Sequence, residues 1–162
     1  MELSKPWRDP GGYRRGRLLE AKYEAELALR FLEQGLYRNA AGKAFQAWKA
    51  FLAAVAVDHV GLLAERFRGT RTTREGRRVR LADFIAAFMP TGYMLAAAAV
   101  LEEASGLKLA DLTNVALNLH EFQYNGLDKS GTFSRYPSLE LVEADVKRLA
   151  NAVLELVSKL EG

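Results

Sequence analysis

Apolar positions recur every three or four residues over most of this chain, a spacing that predicts helices. The strongest stripe lies between Tyr37 and Leu63, where Ala41, Ala44, Phe45, Trp48, Phe51, Leu52 and Val55 share one face. That register assigns Phe45, Trp48 and Phe51 to the core rather than to a stacking surface. Upstream, Leu18, Leu19, Glu20, Ala21 and Lys22 open a run of strong helix formers that predicts a helix from Arg17 to Gln34. Gly35 stands where a left-handed C-cap residue belongs, and the next stripe follows so closely that the two helices should form an antiparallel hairpin. Leu81 to Met89 predicts a short helix stopped by Pro90, with Thr91 placed to cap another that continues to Ala104. Its Ala96–Ala99 run leaves room for a neighbouring helix to approach closely, and Ser105 and Gly106 break the pattern. Leu109, Leu112, Val115, Ala116, Leu119 and Phe122 mark the next amphipathic helix. After Ser138, a candidate N-cap, Val142, Val146, Leu149, Val153, Leu156 and Leu160 alternate steps of four and three, a narrow seam for lengthwise packing. No strand-like alternation and no internal repeat is evident, so the expected fold is all-α, a helical bundle of five to six helices. Residues 17–162 read as a single helical-bundle domain behind a basic lead, residues 1–16.

Composition narrows the chemistry. The chain has 162 residues and no cysteine, which excludes disulfides, thiolate nucleophiles and cysteine-ligated zinc. No apolar core follows the basic amino terminus as in a secretory signal, and the longest apolar stretch, Tyr93 to Leu101, is too short to span a bilayer. The expectation is a soluble, cytoplasmic protein without a membrane partner. The net charge of +3 hides a division. Residues 66–80 hold seven arginines (Arg66, Arg68, Arg71, Arg74, Arg77, Arg78, Arg80) against one glutamate, and the first seventeen residues add +3, leaving the remaining body at −6. Clustered guanidinium groups neutralise phosphates and release counterions, so this segment is a candidate contact for RNA, a nucleotide or an acidic protein. The same arginines could instead pair with the body's own carboxylates. Gly69, Gly76 and the threonines between them predict a mobile loop. Trp7, Tyr13 and Phe67 lie within or beside the basic segments, where stacking on an unpaired base would be physically sensible.

The chain has two histidines. His59 follows Asp58, but adjacent helical residues diverge by about 100° and do not form an obvious pair, so an interaction with the last carbonyls of the helix is the plainer role and proton transfer the alternative. His120 lies in TNVALNLHEFQYNG among polar groups at helical spacing, including Asn114, Asn118 and Tyr124. It is either a hydrogen-bonded structural residue or a general base or phosphate contact. Phosphate-loop, HExxH, EF-hand, ExxH and GxSxG patterns are absent, and neither a metal nor a cofactor is expected.

Residues 28–56 carry a more specific pattern. Leu32-Glu33-Gln34-Gly35 closes one helix, and Tyr37, Ala40, Ala41, Ala44, Ala47 and Lys49 open the next. This segment resembles the signature hairpin of the HEPN superfamily, and Ala116 to Tyr124, with its Leu119-His120 pair and Phe122, is similar to the later helix of archaeal HEPN-like proteins of the PaREP type. The resemblance extends over roughly residues 18–160. It implies an up-and-down, HEPN-like bundle that forms a homodimer. Many HEPN proteins are metal-independent RNases that pair an arginine with a histidine shortly after it. Here that histidine would be His120, but positions 113 to 115, where the arginine is expected, hold Thr113, Asn114 and Val115. Asn114 can donate to a phosphate but cannot offset the added charge of a phosphorane as a guanidinium does. A non-catalytic homodimeric binding or assembly module is therefore the preferred expectation. The alternative is an RNase using His120 with an arginine supplied from elsewhere.

Overall fold

The computed structural model describes residues 4–161, which contain seven α-helices and one short β-hairpin; the chain is almost entirely helical. In order these are α1 (Pro10–Glu33), α2 (Tyr37–Asp58), α3 (Val60–Arg66), β1 (Thr70–Thr72), β2 (Arg78–Arg80), α4 (Leu81–Phe88), a 3-10 turn (Thr91–Tyr93), α5 (Met94–Ser105), α6 (Ala110–Asn125) and α7 (Leu139–Glu161). The chain divides into two compact units, one of Met1–Leu18 with Ala50–Ala110 and one of Leu19–Lys49 with Asp111–Gly162. No single helix is long and apolar enough to cross a membrane.

In the first unit, α1 begins at Pro10, seven residues before the expected start. Asp9 supplies the N-cap: its Oδ1 accepts the Gly12 N–H at 2.9 Å, its carbonyl accepts the Tyr13 N–H, and Pro10 fills the first helical position, where no N–H is needed. The stretch expected as one helix from Tyr37 to Leu63 breaks at His59, and α3 leaves α2 at 91°. This break adds a helix, so that seven stand among the described residues where five to six were expected. His59 acts through its backbone, its carbonyl accepting the Leu63 N–H at 3.2 Å, while its imidazole makes no capping hydrogen bond. Leu63 is buried, and α3 packs on α4 and α5. Helix α4 turns Ala82, Ile85, Ala86 and Ala87 inward and ends in a left-handed Met89 just before Pro90. Thr91 lies inside the 3-10 turn and does not cap α5 with its side chain.

Residues 66–80 correct two expectations at once, the absence of strands and the mobile loop. Thr70, Arg71 and Thr72 pair with Arg80, Val79 and Arg78 in an antiparallel ladder that packs on α4. The turn is closed by the Thr73 N–H donating to the Arg77 carbonyl at 2.8 Å and by the Gly76 N–H donating to the Thr73 carbonyl at 2.9 Å. Gly76 takes a φ of 82° there, a conformation that favours glycine. Val79 points inward and is buried, which anchors the ladder and leaves its arginines in water.

The second unit uses the remaining parts of α1 and α2 together with α6 and α7. Small residues dominate the buried stripes of α1 and α2 (Ala21, Ala25, Ala28; Ala40, Ala41, Ala44, Ala47), and the larger Phe45 and Trp48 turn to α6, where they meet His120 and Thr113. Gly35, at φ 74°, joins the two helices in a Schellman arrangement: its N–H donates to the Leu32 carbonyl and that of Leu36 to the Phe31 carbonyl. Trp48 Nε1 donates to Thr113 Oγ1 at 2.9 Å, so the one polar atom of the buried indole is satisfied. The seam of α7 follows the expected Val142, Val146, Leu149 and Val153, then ends on Val157; Leu156 and Leu160 are only half-buried. The segment before α7 is pinned by Tyr136, which is buried and donates its hydroxyl to Asp145 at 2.6 Å.

Candidate functional site

The arginines of residues 66–80 are all exposed. Two are neutralised: Arg66 Nη2 lies 3.0 Å from Glu103, and Arg80 Nε lies 2.8 Å from Asp83, whose hydrogen bond and charge raise the guanidinium's pKa. The other five have no carboxylate within ion-pair distance among the described residues. Arg71 donates to the Tyr93 hydroxyl at 2.8 Å, Arg78 to Thr70 Oγ1 at 3.0 Å and Arg68 to the Glu65 carbonyl at 3.4 Å, all neutral acceptors that leave the charge intact. The guanidinium of Arg77 lies over the indole of Trp7, 5.5 Å from its centroid. Arg74 stands on the rim of a cleft beside the turn. The hairpin and its flanks thus carry five uncompensated cations: Arg71 and Arg78 on the strands, Arg74 and Arg77 in the turn, and Arg68 just before β1.

That cleft, of about 510 Å³, is lined by Lys5, Trp7, Thr72, Thr73, Arg74, Glu75, Phe84 and Phe88. Phe84 and Phe88 are one helical turn apart on α4 with centroids 5.0 Å apart, on the face opposite its buried residues, and both remain half-exposed. Lys5 Nζ sits 4.6 Å from the Phe88 centroid. Of the three aromatic residues expected to flank the basic segments, Trp7 lines this cleft and Phe67 packs edge-on against Tyr93 at 6.0 Å. Tyr13 is a core residue instead: it is buried, and its hydroxyl donates to the Ala86 carbonyl at 2.6 Å. Lys5, Phe84 and Phe88 were missed from the sequence. The i, i+4 phenylalanine pair was the available signal, but it reads as ordinary core until the opposite face of α4 is known to be the buried one.

His120 lies on α6 in the other unit. Its ring stacks on Phe45 with centroids 4.1 Å apart and meets Tyr124 edge-on at 5.2 Å. Nδ1 is buried and has no hydrogen-bond partner among the described residues. Burial first, and the charge of Lys49 second, hold the imidazole pKa below its ordinary value, so His120 is neutral at pH 7. Tyr124 shares this face, but Asn114 and Asn118 do not: at 100° per residue they lie about 120° and 160° away around α6. Asn118 instead accepts from Arg135 at 3.1 Å, and Arg135 also approaches Glu121 at 3.4 Å. Asn114 is exposed on the same side of the helix. Cations near this part of α6 are Arg135, Lys49 and Arg38, whose Nη2 donates to the Tyr124 carbonyl at 2.9 Å. Nothing in the spacing marked Arg135, which reaches α6 from a loop.

The geometry describes an almost entirely helical protein that carries an arginine-bearing hairpin. The chain belongs to the archaeal PaREP1/PaREP8 family, whose model matches residues 16–149. Neither the curated proteins nor the solved structures give a match.

Proposed function

We propose that this chain is a non-catalytic binding module, HEPN-like in descent, that contacts RNA through the arginine ladder and works as a homodimer. The observation that carries this reading is the set of five exposed arginines, Arg68, Arg71, Arg74, Arg77 and Arg78, whose charge no carboxylate of the described residues cancels. An ordered ladder loses less conformational entropy on binding than a mobile loop, so more of each phosphate contact is retained as affinity. In the other unit, Leu36, Leu127 and Leu139 are exposed along a single groove, and this apolar strip supports a contact between copies. An oligonucleotide titration at rising salt tests the binding reading: affinity for RNA should fall steeply between about 50 mM and about 200 mM salt. A flat dependence removes the polyanion and leaves an uncharged partner contact. Light scattering tests the dimer, and a monomer at micromolar concentration removes that part of the proposal.

The rival reading is an RNase with His120 as base. Lys49, the cation that acts on His120, is the observation in its favour. Cleavage of single-stranded RNA by the parent protein and not by His120→Ala would install it.

A further inference from the structure

We infer that the aromatic cleft beside the ladder receives an unpaired base, so that the module prefers single-stranded to duplex nucleic acid. This deepens the binding reading above and rests on it. Three half-buried aromatic rings, Trp7, Phe84 and Phe88, line one cavity of about 510 Å³. Helix α4 leaves its two phenylalanines on its outer side while burying Ala82, Ile85, Ala86 and Ala87 on the other. Cations already cover two of the rings, Arg77 over Trp7 and Lys5 over Phe88. Aromatic rings flanked by cations suit a ligand that is itself both flat and anionic. An unstacked base displaces a cation from its ring face, and the flanking phosphates take up the guanidinium and ammonium groups so released. The rim supplies the charge for this: Lys5, Arg74 and Arg77 stand against Glu75 alone. Thr72 and Thr73 add hydroxyl groups to the wall. A base held in a duplex cannot enter, because its faces are already stacked, so the duplex is left with the ladder alone.

The test uses the full chain and three fluorescein-labelled probes of about twelve nucleotides: adenine-rich RNA, its DNA counterpart, and the RNA annealed to its complement. Both single strands should quench Trp7 emission and bind more tightly than the duplex, while Trp48, buried in the other unit, stays unaffected. Trp7→Ala should weaken single-strand binding by about tenfold and leave duplex binding unchanged; Trp7→Phe should restore most of the loss. Phe88→Ala provides an independent reduction, with circular dichroism showing each variant folded. Salt-dependent binding with equal affinity for single strand and duplex, and no effect of Trp7→Ala, overturns the cleft but leaves the ladder standing. Absence of any salt-dependent binding overturns both.

Discussion

Replacing Tyr13 with phenylalanine separates a residue that holds the fold from one that touches a ligand. The hydroxyl of Tyr13 is buried; it donates to the Ala86 carbonyl at 2.6 Å and accepts from Arg17 Nε at 2.9 Å. Ala86 belongs to the last turn of α4, whose carbonyls have no partner within the helix. Arg17 also reaches the Ala87 carbonyl at 3.0 Å, so one of the two terminal acceptors keeps a donor after the change. The ring itself stays in place and no cavity opens. The loss is then the buried bond to Ala86, whose carbonyl is left dry, together with the part-buried bond from Arg17, whose Nε can turn to water, about 2 kcal/mol in all. For a chain of this size that lowers the melting temperature by roughly 4–8 °C. Tyr13→Ala adds the empty ring volume and should cost about 3–5 kcal/mol. Urea unfolding followed by circular dichroism measures both. A Phe variant as stable as the parent, or one of parental stability that loses oligonucleotide affinity, would refute the assignment of Tyr13 to the core.

Two titrations follow from the other unit. His120 should show an NMR pKa below 6.5, and Lys49→Met should raise it, leaving only the effect of burial. Because the folded value lies below the unfolded one, the stability His120 contributes is present above about 6.5 and is lost as pH falls through the folded value. A titration at or above 6.5 contradicts the buried, neutral ring. Asp128 accepts from the Ser130 hydroxyl and from the Ser130 and Phe133 N–H groups, which lower its pKa from 3.8 to about 2. The loop should therefore stay ordered above pH 4 and loosen as pH falls from about 4 through about 2, and Asp128→Asn should loosen it at neutral pH. Hydrogen exchange at the Phe133 amide reads this directly; protection unchanged by either perturbation contradicts it.

The parts of the fold that were legible in the sequence were those where one helix face is strongly apolar. Phe45, Trp48 and Phe51 are buried as their spacing predicts, and Gly35 and Gly106 end helices in left-handed conformations. The start of α1 was missed because Gly11 and Gly12 read as breakers, although Asp9-Pro10 before them is a complete start signal. The bend at His59 has no breaker in the sequence nearer than Gly61. The ladder was hidden because strands of three residues carry too little alternation: β1 is exposed throughout, and Val79 is the one inward side chain of β2. The arginines were found as a charge cluster, but which of them would be cancelled was not, since Glu103 and Asp83 meet Arg66 and Arg80 only through the folding of α5 and α4. Around His120 the residues near in sequence misled: a span of two or six positions puts Asn118 and Asn114 on other faces of α6.

The most direct measurement compares the salt dependence of RNA binding for the parent chain and for a variant with Arg74, Arg77 and Arg78 replaced by glutamine. Each side chain is exposed and without a carboxylate partner among the described residues, so the fold should survive the replacement. Removing three phosphate contacts should reduce the slope of log affinity against log salt by about 2 for a single strand. An unchanged slope would mean that the ladder does not meet the phosphates, whatever else the protein binds.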